Sequence, residues 1–421
     1  MQINRAYKFC LDLNNQQASQ MWGNAGLARF VWNWGLAARK KHYEEVVKPA
    51  KERGEKASSL TLYDQINAWY QAKPLLAPWA KDYSSKIPES ALADLAQAYQ
   101  NFFAGLKTGR KVGLPKFKKR GKHDSFRLRG KIDLTKTQIR LSRLGCLKIK
   151  GTTIQVQGRI LYATISRTAD QWFISLTVEQ EAFELETPIG ESVGIDLGLT
   201  HFATLSDGTV IESPRPLERN LRRLRSLNKA LARSQRNSKR RAKLKIRLAR
   251  QHARIASIRN TFLHQTTAKL IKEHPALGLE DLAVANLGKN KHLARHINDQ
   301  GWGEFRRQAN YKTTWSNVTL LVADRFYPSS QLCAQCGNRQ EMPLAQRIYR
   351  CPTCGWTADR DYNAACNLKP VAVLSTETLN AQGGDIRPVN DWQFPWSCVP
   401  SSQTSLRSIS EPVLSTAEIT G

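Results

Sequence analysis

The chain has 421 residues, 41% of them hydrophobic, which is enough to bury a core and too long for one ordinary domain. Lysine and arginine outnumber the acids 64 to 35, and a net charge of +29 points to a polyanionic partner, nucleic acid before an anionic membrane surface. No apolar run reaches the roughly 18 residues of a membrane-spanning helix, and the charged, alternating start Met1–Leu13 does not read as a signal peptide.

In chain order, residues 3–13 predict a strand and 16–46 a helix, with Asn14 as N-cap and Gln17 completing a capping box. Met21, Leu27, Phe30, Val31 and Trp34 supply its apolar side. Helical patterning returns over about 60–72 and 88–106, the latter with Pro88 near its start and a stripe of Ala91, Leu92, Leu95, Ala98, Tyr99, Phe102 and Phe103. The tryptophans Trp22, Trp32, Trp34, Trp69 and Trp79 read as core. Short alternating runs over 137–142, 147–149, 153–157, 160–167 and 172–179 predict a small antiparallel barrel or sheet, which the first strand joins with the helices inserted. Residues 182–190 read as a linker.

From Val193 the pattern changes to a buried strand, VGIDLG (193–198), and a hairpin over 201–211 turning at Asp207-Gly208. Two long helices over 215–273 are expected to break near Ser234–Ser238. A strand over 276–282, a helix over 303–316, a strand over 317–326 and a helix starting near Asp361 complete the pattern. The Ser-, Thr- and Pro-rich tail beyond about 377 lacks periodicity and reads as mostly disordered.

Four of the eight cysteines form two Cys-x-x-Cys pairs, Cys333 with Cys336 and Cys351 with Cys354, separated by fourteen residues. Such knuckles supply the four thiolates of a closed, structural Zn2+ site, and Gly337 and Gly355 allow the tight turn after each pair. Two disulfides or redox pairs would use the same residues. The other cysteines (Cys10, Cys146, Cys366, Cys398) are scattered, so a reducing compartment with thiolates reserved for metal is the better reading.

Carboxylates stand at the ends of apolar segments: Asp196 in VGIDLG, Glu280 or Asp281 in LGLEDL, and Asp359 or Asp361 in DRDYNAA. A buried acid is costly unless paired or metal-bound, and carboxylates from three elements suit Mg2+, which takes oxygen ligands. Asp359 has a ready alternative role as a helix N-cap.

Two basic segments suit phosphate. Residues 215–259 hold 17 Lys or Arg and one acid, Glu218, around a stripe of Leu217, Leu221, Leu224, Leu227 and Leu231. Arg222, Arg223, Arg240 and Arg241 represent its polar face. In 109–122, Gly113 and Pro115 present Lys116, Lys118, Lys119 and Arg120, while Phe117 reads as core before base-stacking.

These motifs, in this order, resemble the TnpB family of transposon-encoded RNA-guided DNA nucleases, relatives of type V CRISPR effectors. VGIDLG, LGLEDL and DRDYNAA resemble its three RuvC motifs, and CAQC and CPTC lie where the family carries a zinc ribbon. YPSSQLC (327–333), ARFVWNWGLAARK (28–40), AYQNFF (98–103), GRKVGLPKFKKRGK (109–122), GWGEFRRQANYK (301–312) and TLNAQGGDIRP (378–388) extend the resemblance over nearly the whole chain.

The resemblance implies Asp196, Glu280 and Asp361 as the catalytic Mg2+ ligands, choosing Glu280 over Asp281 and Asp361 over Asp359. It implies a multidomain α+β fold. A small β-barrel-like wedge takes 1–13 and 107–183, a helical recognition lobe 14–106, an RNase H-like (RuvC) nuclease core 190–330 and 356–377, an inserted zinc ribbon 331–355, and a mostly disordered tail 378–421. The implied activity is RNA-guided DNA cleavage beside a short transposon-adjacent motif, whose reading falls around 56–66 and 85–103. The partners are a guide RNA from the transposon end and double-stranded target DNA, the protein a monomer in a prokaryotic cytoplasm, on the nucleoid. A compact type V CRISPR effector, a strand-joining transposase or a non-cleaving RNA-guided DNA-binding protein would share many of these features.

Overall fold

The computed structural model describes residues 2–56, 58–110, 112–181, 188–343, 345–369, 387–388 and 409–412. The expected linker is therefore described only from residue 188, and the expected disorder of the tail lies outside the described residues but for its two short strands. The chain forms two compact units, Met1–Glu181 with Pro395–Gly421, and Ala182–Phe394. No helix among the described residues is long and apolar enough to cross a membrane.

The first unit opens with β1 (Gln2–Asp12), and Asn14 then caps α1 (Asn15–His42). The capping box is formed as expected: Asn14 Oδ1 accepts from Gln17 N at 2.8 Å and Gln17 Oε1 from Asn14 N at 3.2 Å. A π-helical stretch, Tyr43–Val47, leads into α2 (Lys48–Glu52). A second capping box, Thr61 with Asp64, starts α3 (Leu62–Leu76), and α4 (Lys86–Lys107) ends the helical stretch. Strands β2 (Ser125–Leu128), β3 (Ile132–Thr135), β4 (Gln138–Leu141), β5 (Gly145–Lys150), β6 (Arg159–Thr168) and β7 (Gln171–Glu181) follow.

The sheet order is β2-β6-β7-β1-β5-β4-β3. β1 therefore sits inside the sheet, antiparallel to β7 over Gln2–Cys10 and to β5 over Cys10–Asp12, with the helices inserted after it. No ladder joins β2 to β3 among the described residues, so the barrel-like closure expected is not seen there. Helices and sheet share one core that includes Tyr7, Phe9, Met21, Val31, Leu92, Ile165 and Leu176.

Three expectations fail here. Residues 153–157 make a turn, not a strand: Val156 N donates to Thr153 O at 2.8 Å, Thr153 Oγ1 to Thr135 O at 2.8 Å, and Ile154 is 65% exposed. Trp79 is exposed, its ring edge-on to Phe30 at 5.8 Å and Tyr83 at 6.0 Å. Phe117 is 49% exposed and carries the Lys40 ammonium 4.9 Å from its ring centre, an association that needs no burial. Strands β2 and β3, unannounced by any long alternation, are additions to the expected set.

The second unit holds β8 (Val193–Leu197), β9 (Ala203–Leu205) and β10 (Val210–Ile211), an antiparallel run. Its turn is the expected one, with Gly208 at φ 86 and Asp207 Oδ1 accepting from Thr209 N at 2.8 Å. After α5 (Pro216–Arg219), α6 (Leu221–Arg233) and α7 (Lys239–Glu273) break where expected, and Ser238 Oγ caps α7 through Arg241 N at 3.1 Å.

Then come β11 (Ala276–Glu280), α8 (Val284–Leu287), α9 (Ala294–Gln300), α10 (Trp302–Trp315) and β12 (Thr319–Ala323). A small hairpin, β13 (Ile348–Arg350) with β14 (Thr357–Asp359), precedes α11 (Arg360–Asn367). The main sheet has the order β10-β9-β8-β11-β12-β15, in which β8, β11 and β12 are parallel and β15 (Arg387–Pro388) is an antiparallel edge. The core beneath it includes Val193, Ile195, Phe202, Leu263, Leu270, Leu279 and Phe305. In the first unit β16 (Ile409–Pro412) pairs parallel with β1.

Candidate metal centres and nucleic-acid interface

Register brings two of the three carboxylates together. β11 pairs with β8 through Leu277–Val193, Gly278–Gly194 and Leu279–Ile195. One residue further, the same register sets Glu280 beside Asp196 on strands about 4.8 Å apart, on one face of the sheet. The third arrives on α11, which lies directly on β8. A Cβ on Gly194 would collide with the carbonyl of Ala365 and come within 2.5 Å of Lys369 N. Asp196 lies two residues along the strand from that contact, about 6.6 Å, and Asp361 four residues back along the helix, about 6 Å. The Asp361 charge acts on Asp196, so the two lie near one another.

The electrostatics register this convergence. Burial, then the Asp361 and Glu280 charges, push the half-buried Asp196 carboxyl up to about 8. Burial and Asp281 also raise Glu280. Arg347 Nη1 stands 3.9 Å from Asp361 Oδ1. The neighbouring acids are engaged elsewhere. Asp359 caps α11, accepting from Asp361 N at 2.9 Å and Tyr362 N at 3.2 Å. Asp281 accepts from Arg306 and, at 2.8 Å, from Arg325; burial opposes its ionisation, but the two guanidiniums hold it below the usual range. Among the described residues no three acids bring their oxygens within 4.8 Å of one another, so this trio is wider than a single-ion cage. Two cations about 3.5–4 Å apart would span such a set. Hard oxygen donors of this kind fit Mg2+.

The four knuckle cysteines do converge, with all sulfurs within 4.8 Å. Cys333 Sγ lies 3.6 Å from Cys354 Sγ, and Cys336 Sγ 3.5 Å from Cys351 Sγ. These cross-knuckle spacings are close to the roughly 3.8 Å edge of a tetrahedron with 2.3 Å zinc–sulfur bonds, and far from a disulfide. The Cys354 N–H donates to Cys351 Sγ at 3.5 Å and lowers that thiol's pKa, while the neighbouring sulfurs raise those of Cys336 and Cys354. The donor set fits zinc.

The basic candidates separate. Lys116, Lys119 and Arg120 are exposed, with the Arg120 guanidinium 5.5 Å from the Trp22 ring centre. Lys118 is half-buried, its ammonium 3.8 Å from the Trp32 ring centre and its pKa lowered by burial, while its backbone N–H donates to Asn33 Oδ1 at 2.7 Å. Arg222, Arg223 and Arg240 are exposed. Arg241 turns inward, donating to Leu231 O at 2.6 Å and Ser234 O at 2.9 Å, where it closes the end of α6. The sequence reading missed Arg225, Lys229 and Arg233, which line one groove with Arg222; their spacing of three and four residues was the available signal.

The fold has a counterpart among solved structures. It matches the chain in "Cryo-EM structure of the Cas12f1-sgRNA-target DNA complex" with a TM-score of 0.50 over 85% of this chain and 84% of that one, a likeness of fold alone at 13% identity. The chain belongs to the TnpB family. Residues 174–291 match the family described as "Probable transposase", and residues 302–368 match "Cas12f1-like, TNB domain". Residues 1–48 match "Helix-turn-helix domain", although a strand and one long helix stand there.

Two relatives align over most of the chain and a third over less than half. "Putative RNA-guided DNA endonuclease InsQ" of Escherichia coli (strain K12) is 35% identical over 86% of this chain and 91% of its own. A "Putative RNA-guided DNA endonuclease" of Streptomyces pristinaespiralis is 32% identical over 99% and 98%. "TnpB-like protein L79" of Acanthamoeba polyphaga mimivirus is 26% identical over 43% and 37%.

Proposed function

We propose that this chain is a transposon's RNA-guided DNA endonuclease, a metal-dependent phosphodiesterase that cuts target DNA beside a short transposon-adjacent motif. The observation that carries the reading is the register that sets Glu280 beside Asp196, with Asp361 brought near by α11 on Gly194. The names of its full-length relatives support it.

Asp196, Glu280 and Asp361 would hold Mg2+, which when bound activates water and stabilises the leaving oxygen of an in-line attack. Asp196 must give up its proton for this role, since its carboxyl is pushed up to about 8. Arg347, exposed and beside Asp361, is free to turn from that acid to a phosphate once a cation takes its place. Cys333, Cys336, Cys351 and Cys354 would hold Zn2+ as a structural ion.

The exposed face of α6 and the 109–122 segment would grip the backbone of a guide RNA or its duplex with DNA, while base pairing supplies the sequence. The sheet of the first unit and its inserted helices would form the wedge and recognition lobes. The bacterial relatives favour a working place in the cytoplasm, on the nucleoid.

The test is purification from cells carrying the native locus, sequencing of the bound RNA, and incubation with Mg2+ and a plasmid library matching the guide. Guide-dependent cuts beside a common short motif are expected. A discrete bound RNA without cuts would sink the nuclease reading in favour of a guided binder.

A further inference from the structure

Two asparagines on α11 have their polar atoms spent in one place. Asn363 is fully buried, and its Nδ2 donates to Leu332 O at 2.7 Å while its Oδ1 accepts from Ala334 N at 3.0 Å. Asn367, 7% exposed, donates from Nδ2 to Ser329 O and Leu332 O, each at 2.8 Å. These bonds bracket Cys333 on both sides. The same helix is held at its start by the far half of the ribbon: Arg360 N donates to Arg347 O at 2.7 Å and Arg360 Nη1 to Pro343 O at 3.1 Å. Asp361 lies between these two grips.

The bonding is more specific than packing requires. An apolar side chain would fill the space at 363, but it could neither donate to Leu332 O nor accept from Ala334 N, as the Asn363 amide does across Cys333. Backbone hydrogen bonds of this length tolerate little sliding before they break. The pitch and rotation of α11 are therefore tied to the order of the first knuckle.

We infer that Asn363 and Asn367 are positioning residues that couple the four-cysteine site to the carboxylate centre, so that metal in the first sets the affinity of the second for its divalent cation. The inference rests on the proposed reading of Asp196, Glu280 and Asp361 as cation ligands. It gives the ribbon a task beyond its own folding. When held by the four cysteines, zinc would order Cys333 and with it Leu332 and Ala334, whose peptide groups bond the asparagines on the helix that carries Asp361.

The experiment uses the full-length protein, with Mn2+ binding followed by electron paramagnetic resonance and zinc content measured in parallel. Stripping zinc from the wild type should weaken Mn2+ binding by about tenfold or more, the usual effect of losing an outer partner of a metal ligand. Asn363→Ala, with zinc still stoichiometric, should show the same loss, and stripping it should add little. A zinc-loaded Asn363→Ala that binds Mn2+ like the wild type overturns the inference, as do losses that multiply.

Should Asn363→Ala not fold, Asn367→Ala takes its place. Hydrogen exchange at the amides of 361–367 in the wild type is an independent reading, and protection there that survives zinc removal also overturns the coupling. Asp196→Asn is the control that separates the two claims: if it leaves Mn2+ binding unchanged, the carboxylate reading fails and takes the coupling with it.

Discussion

Gly194 and Ala365 lie so close that the strand backbone and the helix carbonyl leave no room for a side chain between them. That close approach fixes where α11 rests on β8, and Asp361 takes its position from it. Gly194→Ala should therefore act on chemistry as well as on stability. We expect a loss of about 1–3 kcal/mol or more from the forced shift, together with a drop in cleavage of at least about a hundredfold, the scale that a 1 Å misplacement can reach. Cleavage assays beside thermal melts check it. Wild-type cutting by a well-folded Gly194→Ala would show that the close approach does not set the centre.

Asp196→Ala should abolish cutting and leave RNA binding nearly intact, because the side chain is proposed as a cation ligand and lies outside the basic surfaces. Filter binding and plasmid cleavage on one preparation decide this. Retained cleavage would overturn the metal-site assignment.

The Asp196 carboxyl also predicts a pH dependence. Its folded-state value, about 8, lies above the ordinary 3.8, so the folded metal-free protein keeps a proton that the unfolded chain releases. That contribution to stability is complete below about 4 and is lost as pH rises through about 8. Metal-free protein should melt lower at pH 8.5 than at pH 6, and the gain in Tm from Mg2+ should be larger at the higher pH. Asp196→Asn should flatten both trends. Equal Mg2+ gains at the two pH values in the wild type would contradict the sign.

Cys351→Ser should lower both zinc content and stability, since Cys351 is buried and its sulfur lies within 4.8 Å of the other three. Metal analysis after gel filtration reads the outcome directly. An unchanged zinc stoichiometry would rule out the four-thiolate site.

The basic residues of the α6–α7 hairpin should divide into two kinds. Replacing Arg222, Arg225, Lys229 and Arg233 by alanine should weaken RNA binding and reduce its salt dependence, by about 0.7 in log–log slope for each single-strand phosphate that is no longer neutralised. Arg241→Ala should cost about 1 kcal/mol of stability and leave the salt slope unchanged, because its guanidinium serves Leu231 O and Ser234 O. Salt titrations of both variants distinguish them.

Local chemistry was the most legible part of the sequence. Asn14 with Gln17, Ser238 at the helix break, and Asp207-Gly208 each carry their structure in a few adjacent residues, and all are where the pattern put them. What escaped depends on partners far along the chain. Residues 153–157 alternate like a strand but fold as a turn, with Thr153 bonded to Thr135 O and Lys136 O. Trp79 and Phe117 look like core until the surfaces that would cover them are sought.

The choice between Glu280 and Asp281 could not be made from parity along one strand. It needs the register with β8 and the two arginines that occupy Asp281. Asn363 was invisible for the same reason, since an amide two residues from an aspartate gives no sign of the peptide bonds it will bridge.

The place of β1 inside its sheet bears on how the protein is made. Residues Gln2–Cys10 of β1 find a main partner in Phe173–Glu181, far later in the chain. At ribosomal speeds of about 5–20 residues per second, that partner emerges on the order of ten seconds or more later. Throughout that interval an apolar strand waits with both edges open, beside helices that can already form. A nascent chain therefore carries β1 unpaired for that interval, and a fusion that shields β1 should change its yield more than a fusion of equal size elsewhere.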